Sequence, residues 1–245
     1  MKNRERFYEI MQGASHIVFF GGAGVATESG IPDFRSQDGL YRQKYPYPPE
    51  TMLSHSFFLS HMEEFFDFYV DKMVYPNAQP NAAHKKLAAL EAAGRLDGII
   101  TQNIDGLHQK AGSKNVIELH GSVLRNDCQR CGQRYGLDYV LTHRPIPRCS
   151  CGGVVKPDVV LYEEALDEGA ISGAISLISQ AEVLIIGGTS LTVYPAAGLV
   201  RYFSGKHLIL INRDATPMDQ AADLVLRENI GEIFAQLPVD GASAK

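Results

Sequence analysis

The chain of 245 residues lacks any excess of positive charge: 23 Lys and Arg stand against 28 Asp and Glu, for a net charge of −5. A general nucleic-acid binder needs a basic footprint, so that class is disfavoured. An acidic surface instead tolerates, or mildly attracts, a cationic partner such as a Lys-rich segment. Long apolar runs are also missing. The longest, around "VLIIGG" and "HLILIN", have strand length and fall far short of the ~20 residues that span a bilayer. The opening stretch "MKNRERFYEIMQGAS" is charged and amphipathic and has no signal-peptide apolar core. These absences lead to the expectation of a cytoplasmic protein without a membrane association. Cysteine is scarce, at four residues, and in a reducing compartment those read as metal ligands rather than disulfides. The dinucleotide fingerprint of dehydrogenases, G-x-G-x-x-G, is absent as well. The loop after the strand-like "HIVFF" reads "GGAGVATESGIPDFR", Gly21 to Arg35, and continues into "PDFR", which no phosphate cradle requires.

What is present is an ordinary globular composition, 45% hydrophobic and 21% charged, long enough for one large domain or one carrying a small inserted module. Four runs without polar alternation suit parallel strands covered on both faces: 16–20, 96–101, 182–187 and 207–212. Shorter candidates lie at 115–119 and 223–226. Helical patterns separate them: "HKKLAALEAAG" ending at Gly94, a plausible C′ glycine, then 163–181 and 229–237. The alternation predicts an α/β fold, a doubly wound parallel Rossmann-like sheet, with ligands beyond the carboxyl ends of the strands. Residues 1–35, 81–120 and 158–245 are assigned to that sheet domain. Two segments break the alternation. The first, 36–80, has a Tyr- and Pro-rich loop and an aromatic helix; the second, 121–157, holds all four cysteines. Together they are expected to form a smaller domain facing the sheet across a cleft.

The cysteines come as "CQRC" (Cys128, Cys131) and "CSC" (Cys149, Cys151), seventeen residues apart. Two close pairs at this separation suit a tetrahedral four-cysteine zinc ribbon, and the flanking glycines permit tight knuckles. Four thiolates leave no open position for water, so the zinc is expected to be structural. Three further loops follow strands: "QNIDGLH" (102–108), "HG" (His120, Gly121) and "GTSLTVYPAA" (188–197). Each alone has a bland explanation, since Asn and Asp after a strand often cap a turn or helix. Their coincidence at one end of one sheet points to a site.

The motifs "GAGVATESGIPDFR", "TQNIDGLH", "HG", "CQRC…CSC", "KPDVVLYEE", "GTSLTVYPA" and "LILIN" cover roughly residues 15–237. In that order they resemble the sirtuins, NAD-dependent protein deacylases, and most nearly the family's bacterial deacetylases. Departures are Ala26 where Ser is frequent, Glu163 where Gly is usual, and "CSC" for C-x-x-C. The resemblance implies two cofactors, NAD and zinc, and acyl-lysine proteins or peptides as partners. It implies cleavage of the nicotinamide–ribose bond, attack of the substrate's acyl oxygen on C1′, and release of deacylated lysine, nicotinamide and O-acetyl-ADP-ribose.

By the same resemblance, Gly22 and Gly24, with Ala23, admit the diphosphate near a helix N-terminus, with Thr27 among the cofactor contacts. Phe34 covers the reactive ribose face and Arg35 positions phosphate and ribose. Gln102, Asn103, Ile104 and Asp105 surround the nicotinamide: Asp105 meets its carboxamide, Ile104 packs the ring, and Asn103 orders ribose or water. His120 takes a proton from the ribose 2′-hydroxyl, directly or through the 3′-hydroxyl. Thr189 and Ser190 bind phosphate and ribose, Asn212 the adenosine ribose, and Ile230 the adenine. Val159–Glu164 and the segment at Val193 pair with the substrate backbone, and Phe34, Ile104, His120, Val160 and Tyr162 border an acyl-lysine tunnel. Sirtuins that prefer acidic acyl groups resemble one another in a Tyr and an Arg three residues apart. Here Tyr69 is followed by Lys72, expected as a core residue and a solvated one. Protein mono-ADP-ribosyl transfer is an alternative that shares the activated intermediate. An NAD-linked oxidoreductase and an inactive zinc-ribbon binding module are weaker rivals: the first leaves the cysteines unexplained, the second the intact Asn103, Asp105 and His120.

Overall fold

A computed structural model describes residues 2–34, 39–40 and 44–239. Its centre is a parallel sheet of β1 (Ile17–Gly21), β2 (Gly98–Thr101), β3 (Val116–Glu118), β7 (Val183–Gly187), β8 (His207–Ile211) and β9 (Leu224–Leu226). All six runs expected as strands are in it. The order is β3-β2-β1-β7-β8-β9, so the chain builds outward from β1 in one direction, then returns beside β1 and builds outward in the other. β1 pairs in register with both neighbours, Phe19 lying opposite Ile99 and Ile185. The strand order therefore reverses between β1 and β7, the place at the carboxyl ends of an open α/β sheet where ligands bind.

Every residue of β1, β2 and β7 is buried, because both faces are covered. Ile17 and Phe19 point to one side, into a cluster with Phe7, Leu87 and Phe234 from α1 (Lys2–Gly13), α5 (Ala82–Ala92) and α9 (Ile230–Ala235). Val18 and Phe20 point to the other, joining Ala174, Ile178 and Leu184 under α8 (Glu168–Gln180). Caps fix the helix ends. Asn81 accepts from the N–H groups of Ala83 and His84 at 3.0 and 3.4 Å, and Gly94 (φ +70°) follows α5 as its left-handed terminator. Asp167 accepts from the Ala170 N–H at 2.7 Å and starts α8 later than the apolar spacing from residue 163 suggested.

The two segments outside the alternation pack together. The aromatic stretch is not one helix but two, α3 (His55–Ser60) and α4 (Met62–Met73), broken at His61, and α2 (Pro49–Met52) precedes them. Their Phe57, Phe58, Phe65, Phe66 and Tyr69 share a hydrophobic cluster with Val123, Val140, Val155 and Leu161. Those partners come from an antiparallel sheet of β4 (Gly121–Cys128), β5 (Arg134–Tyr135) and β6 (Val155–Val159), from the flanking α7 (Leu137–Thr142), and, for Leu161, from the segment that follows β6. Among the described residues no helix is long and apolar enough to cross a membrane.

Behind the sheet, His84 of α5 meets His108 of α6 (Leu107–Lys110) with ring centroids 4.7 Å apart. Nε2 of His84 and both ring nitrogens of His108 are buried without a protein hydrogen-bond partner. Burial pushes His84 down to about 4, and burial reinforced by His84 pushes His108 down to about 3. The unfolded chain binds protons at these sites near pH 6.5, so it holds more protons than the native state at any pH between that value and the folded pKa values. Stability therefore falls as pH drops below about 6.5. Urea unfolding between pH 7 and 5 is expected to show this loss, and His108→Gln to flatten the dependence by about one proton.

A candidate active site at the strand-order reversal

The loops that leave β1 and β7 touch backbone to backbone. The Gly22 N–H donates to the Gly187 carbonyl at 3.1 Å and the Gly24 N–H to the Gly188 carbonyl at 2.8 Å. A Cβ on Gly24 would sit 2.8 Å from the Gly188 Cα, and one on Gly188 2.4 Å from the Val25 nitrogen. The glycines thus answer first to each other, and these two N–H groups are already engaged. No α-helix follows the loop; Ala23–Val25 and Thr27–Ser29 form 3-10 turns instead. The expected helix start for a diphosphate is replaced by this double-loop seam, with the buried Thr189 beside it.

A cleft of about 340 Å³ opens over the seam. Ala23, Thr27, Phe34, Gln102, Asn103, Ile104, Asp105, His120, Val160, Tyr162, Thr189, Ser190, Val193, Asn212 and Ile230 all line it. Arg35 lies outside the described residues. Ile230 is also part of the main core, at 4% exposure, and the Asn212 side-chain amide donates to the Asp214 carbonyl at 2.9 Å. Sequence reasoning did not single out Glu28 or Arg213, which line the cleft too. Glu28 accepts from the Gly231 N–H at 2.7 Å, a contact of 203 residues' separation that no local pattern signals.

His120 sits in the tight turn from β3 to β4. Gly121 makes that turn possible: its φ is +73°, and a Cβ there would meet the Asp158 carbonyl at 1.9 Å. The His120 carbonyl accepts from the Val160 N–H at 3.0 Å, and its Nδ1 lies 2.9 Å from the Gln102 carbonyl. A carbonyl can only accept, so Nδ1 carries the proton and Nε2 keeps the lone pair. Burial lowers the pKa of the imidazole against the opposing effect of that hydrogen bond, which leaves Nε2 a free base at neutral pH. Beside it, the side-chain amide nitrogens of Gln102 and Asn103 are buried without a protein partner. Such groups are costly unless satisfied, about 1–3 kcal/mol each, and they ask for a polar ligand. Asp105 is pushed up to about 6, chiefly by burial, while one of its oxygens accepts from the Leu107 N–H at 2.8 Å. Close-packed glycines, unsatisfied amides and a carboxylate at the switch point of the sheet fit a dinucleotide.

The four cysteines converge although seventeen residues separate the two pairs in sequence. Their sulfurs all lie within 4.8 Å of one another, Cys128 to Cys151 at 3.5 Å and Cys131 to Cys149 at 3.6 Å. Zn–S bonds of about 2.3 Å in a tetrahedron put sulfurs about 3.8 Å apart, so the donor set and its spacing fit zinc. The short "CSC" pair is accommodated by Gly152 at φ +87°. The Tyr135 hydroxyl adds a hydrogen bond to the Cys149 sulfur at 3.0 Å.

Residues 22–195 match the model of the Sir2 family. The chain is 59% identical over 230 residues to an NAD-dependent protein deacetylase of Clostridium acetobutylicum, covering 92% of this chain and 94% of that one. A second, of Clostridium perfringens, is 58% identical over 94% of this chain and 96% of its own. The chain belongs to the Sir2 family, the sirtuins. Its backbone superposes on a Sir2 enzyme solved with a p53 peptide and NAD+ at a TM-score of 0.82, with 40% identity over 94% of this chain and 95% of that one. Another Sir2 structure gives 0.88 at 37% identity, with 96% of each chain covered. The four-cysteine cluster of this sirtuin is far from an open catalytic metal site in character, since four thiolates complete the shell. One zinc per chain is therefore expected by elemental analysis, and Cys128→Ala or Cys149→Ala should lose the metal and unfold the module. Structural zinc sites of this kind contribute about 10 kcal/mol or more to folding.

Proposed function

We propose that this sirtuin is an NAD-dependent protein-lysine deacetylase, yielding deacylated lysine, nicotinamide and O-acetyl-ADP-ribose. The observation that carries the reading is His120: its Nδ1–H is committed to the Gln102 carbonyl, which leaves Nε2 a base in the cleft, next to the unsatisfied amides of Gln102 and Asn103. The names of its relatives, NAD-dependent protein deacetylases at up to 59% identity, support it.

When bound, NAD supplies a nicotinamide–ribose bond whose cleavage opens C1′ to the substrate's acyl oxygen. In this reading the chain's residues do the rest. Ala23, Thr27, Thr189 and Ser190 hold phosphates and riboses, with Arg35; Asn212 and Ile230 receive the adenosine end. Asp105 accepts from the nicotinamide carboxamide, Ile104 and Phe34 exclude water from the ring and ribose, and Asn103 orders ribose or water. His120 Nε2 takes the ribose hydroxyl proton. Val160, Tyr162 and Val193 receive the acyl-lysine peptide, strand against strand. We further read residues 1–35, 81–120 and 158–245 as the NAD-binding domain, and 36–80 with 121–157 as the smaller one; the two separate hydrophobic clusters support this. A cytoplasmic setting is part of the same reading, supported by the thiol cluster, which a reducing compartment preserves.

An acetyl-lysine peptide incubated with and without NAD is expected to lose its acetyl group only with NAD, as mass spectrometry reads directly. His120→Ala should cut turnover by about 10²–10⁴ while NAD affinity stays within a few-fold. Because burial lowers the His120 pKa, its base form persists to lower pH than that of an ordinary imidazole, and loss of activity from this group on acidification is expected correspondingly later. Asp105→Asn should instead weaken NAD use and relieve inhibition by nicotinamide.

Two residues of α4 bear on which acyl group is accepted. Tyr69 is a core residue as expected, its hydroxyl buried without a partner at the cleft wall. Lys72 lines the cleft with its side chain 28% exposed, a partly solvated position at the cleft wall. Its ammonium lies 2.8 Å from the Asp71 carboxylate and 5.8 Å above the Tyr45 ring. The cation is thus already paired, and lysine lacks the planar fork that grips a carboxylate. Acetyl-lysine is expected to be the better substrate, with succinyl-lysine slow or inert; kcat/KM for matched peptides decides it.

A further inference from the structure

Glu163 stands where the sirtuin resemblance puts glycine, and its backbone is left-handed at φ +76°. That region is strained for a residue with a Cβ and persists only where the surroundings over-determine it. Here they do. One carboxylate oxygen accepts from the Ser56 N–H at 2.8 Å and the other from the Ser56 hydroxyl at 3.0 Å. Ser56 lies in the first turn of α3, where N–H groups have no partner within the helix. The neighbours are tied to the same segment. The Tyr162 N–H donates to the Leu53 carbonyl and the His55 N–H to the Tyr162 carbonyl, both at 3.0 Å. Glu164 lies 2.8 Å from His55 Nδ1 and accepts from the Leu161 N–H at 2.8 Å. Residues 161–164 are thereby stitched to residues 53–56.

The carboxylate of Glu163 does not serve the fold by packing, since the residue is exposed. Nor does α3 depend on it for a cap: the Ser54 hydroxyl already accepts from the Phe57 N–H at 3.2 Å. What the bonds to Ser56 do fix is the end of the cleft wall that includes Val160 and Tyr162. We propose that Glu163 is a positioning residue, a clamp onto the start of α3 that holds this wall in the geometry that receives the acyl-lysine peptide. The proposal rests on the deacetylase reading, and a glycine at this position, free of strain, would also be free of the clamp.

Steady-state kinetics with an acetyl-lysine peptide and backbone hydrogen exchange on Glu163→Gly, Glu163→Gln and Ser56→Ala test it. Glu163→Gly is expected to raise the peptide KM about five- to tenfold, with kcat and the KM for NAD within about twofold. Glu163→Gln, which keeps one acceptor oxygen, and Ser56→Ala should fall between. The double variant Ser56→Ala with Glu163→Gly should be no worse than Glu163→Gly alone, because the two act through one contact. Exchange at the Ser56 and Tyr162 amides should speed up in Glu163→Gly. Unchanged exchange overturns the clamp whatever the kinetics. Faster exchange with an unchanged peptide KM, or with kcat and both KM values shifted together, overturns the positioning role. A native chain that deacetylates no peptide overturns the deacetylase reading and this role with it, and the exchange data then still tell whether the clamp exists.

Discussion

The contact on which the site depends is the seam where the loops after β1 and β7 meet, with Gly24 donating to the Gly188 carbonyl at 2.8 Å. Parallel pairing of β1 with β7 carries both backbones to the same height, Gly21 opposite Gly187. Beyond that point the strands have no more ladder to form, and the chain must turn both ways from one place. With side chains on either loop the backbones would be pushed apart. Their closeness makes the floor of the cleft from main chain and leaves its walls to Gln102, Asn103, Asp105 and His120 from the other strand ends.

Polar groups are buried in these walls in a manner that folding alone does not favour. The Gln102 and Asn103 amide nitrogens lack partners, and Asp105 is held near 6 where an exposed carboxylate ionises near 4. Each is a cost in the empty protein and a source of affinity when a ligand supplies the missing donor or acceptor. The cost is tolerated because the two sheet faces and the aromatic cluster around Phe65 and Phe66 are closely filled. Histidines 84 and 108 lie outside that logic: they are buried outside the cleft, with Nε2 of His84 and both ring nitrogens of His108 unpaired, and they make the scaffold acid-sensitive.

Much of this was legible in the residues. Unbroken apolar runs such as "VLIIG" mark strands buried on both faces, since nothing in them alternates. Two close cysteine pairs announced a tetrahedral site, and the order of motifs announced the family. Helix limits were less legible, because the apolar spacing from residue 163 to 167 is helical while Asp167 is the residue that caps. The aromatic stretch reads as one amphipathic helix, but it breaks at His61, whose φ of −134° is incompatible with a helix.

Which stretches are strands, at which end of the sheet the cleft-forming loops gather, and which four cysteines form one cluster could all be read from the residues. These follow from composition and spacing along the chain, which short-range sterics and ligand number read directly. Tertiary structure alone decided why the glycines are where they are, since Gly22 and Gly24 answer to Gly187 and Gly188 from the far side of the sequence. It decided the tautomer of His120, through a carbonyl 18 residues away, and the left-handed Glu163 bonded to Ser56. Each of those depends on partners distant in sequence and close in space, and that distance is not written along a chain.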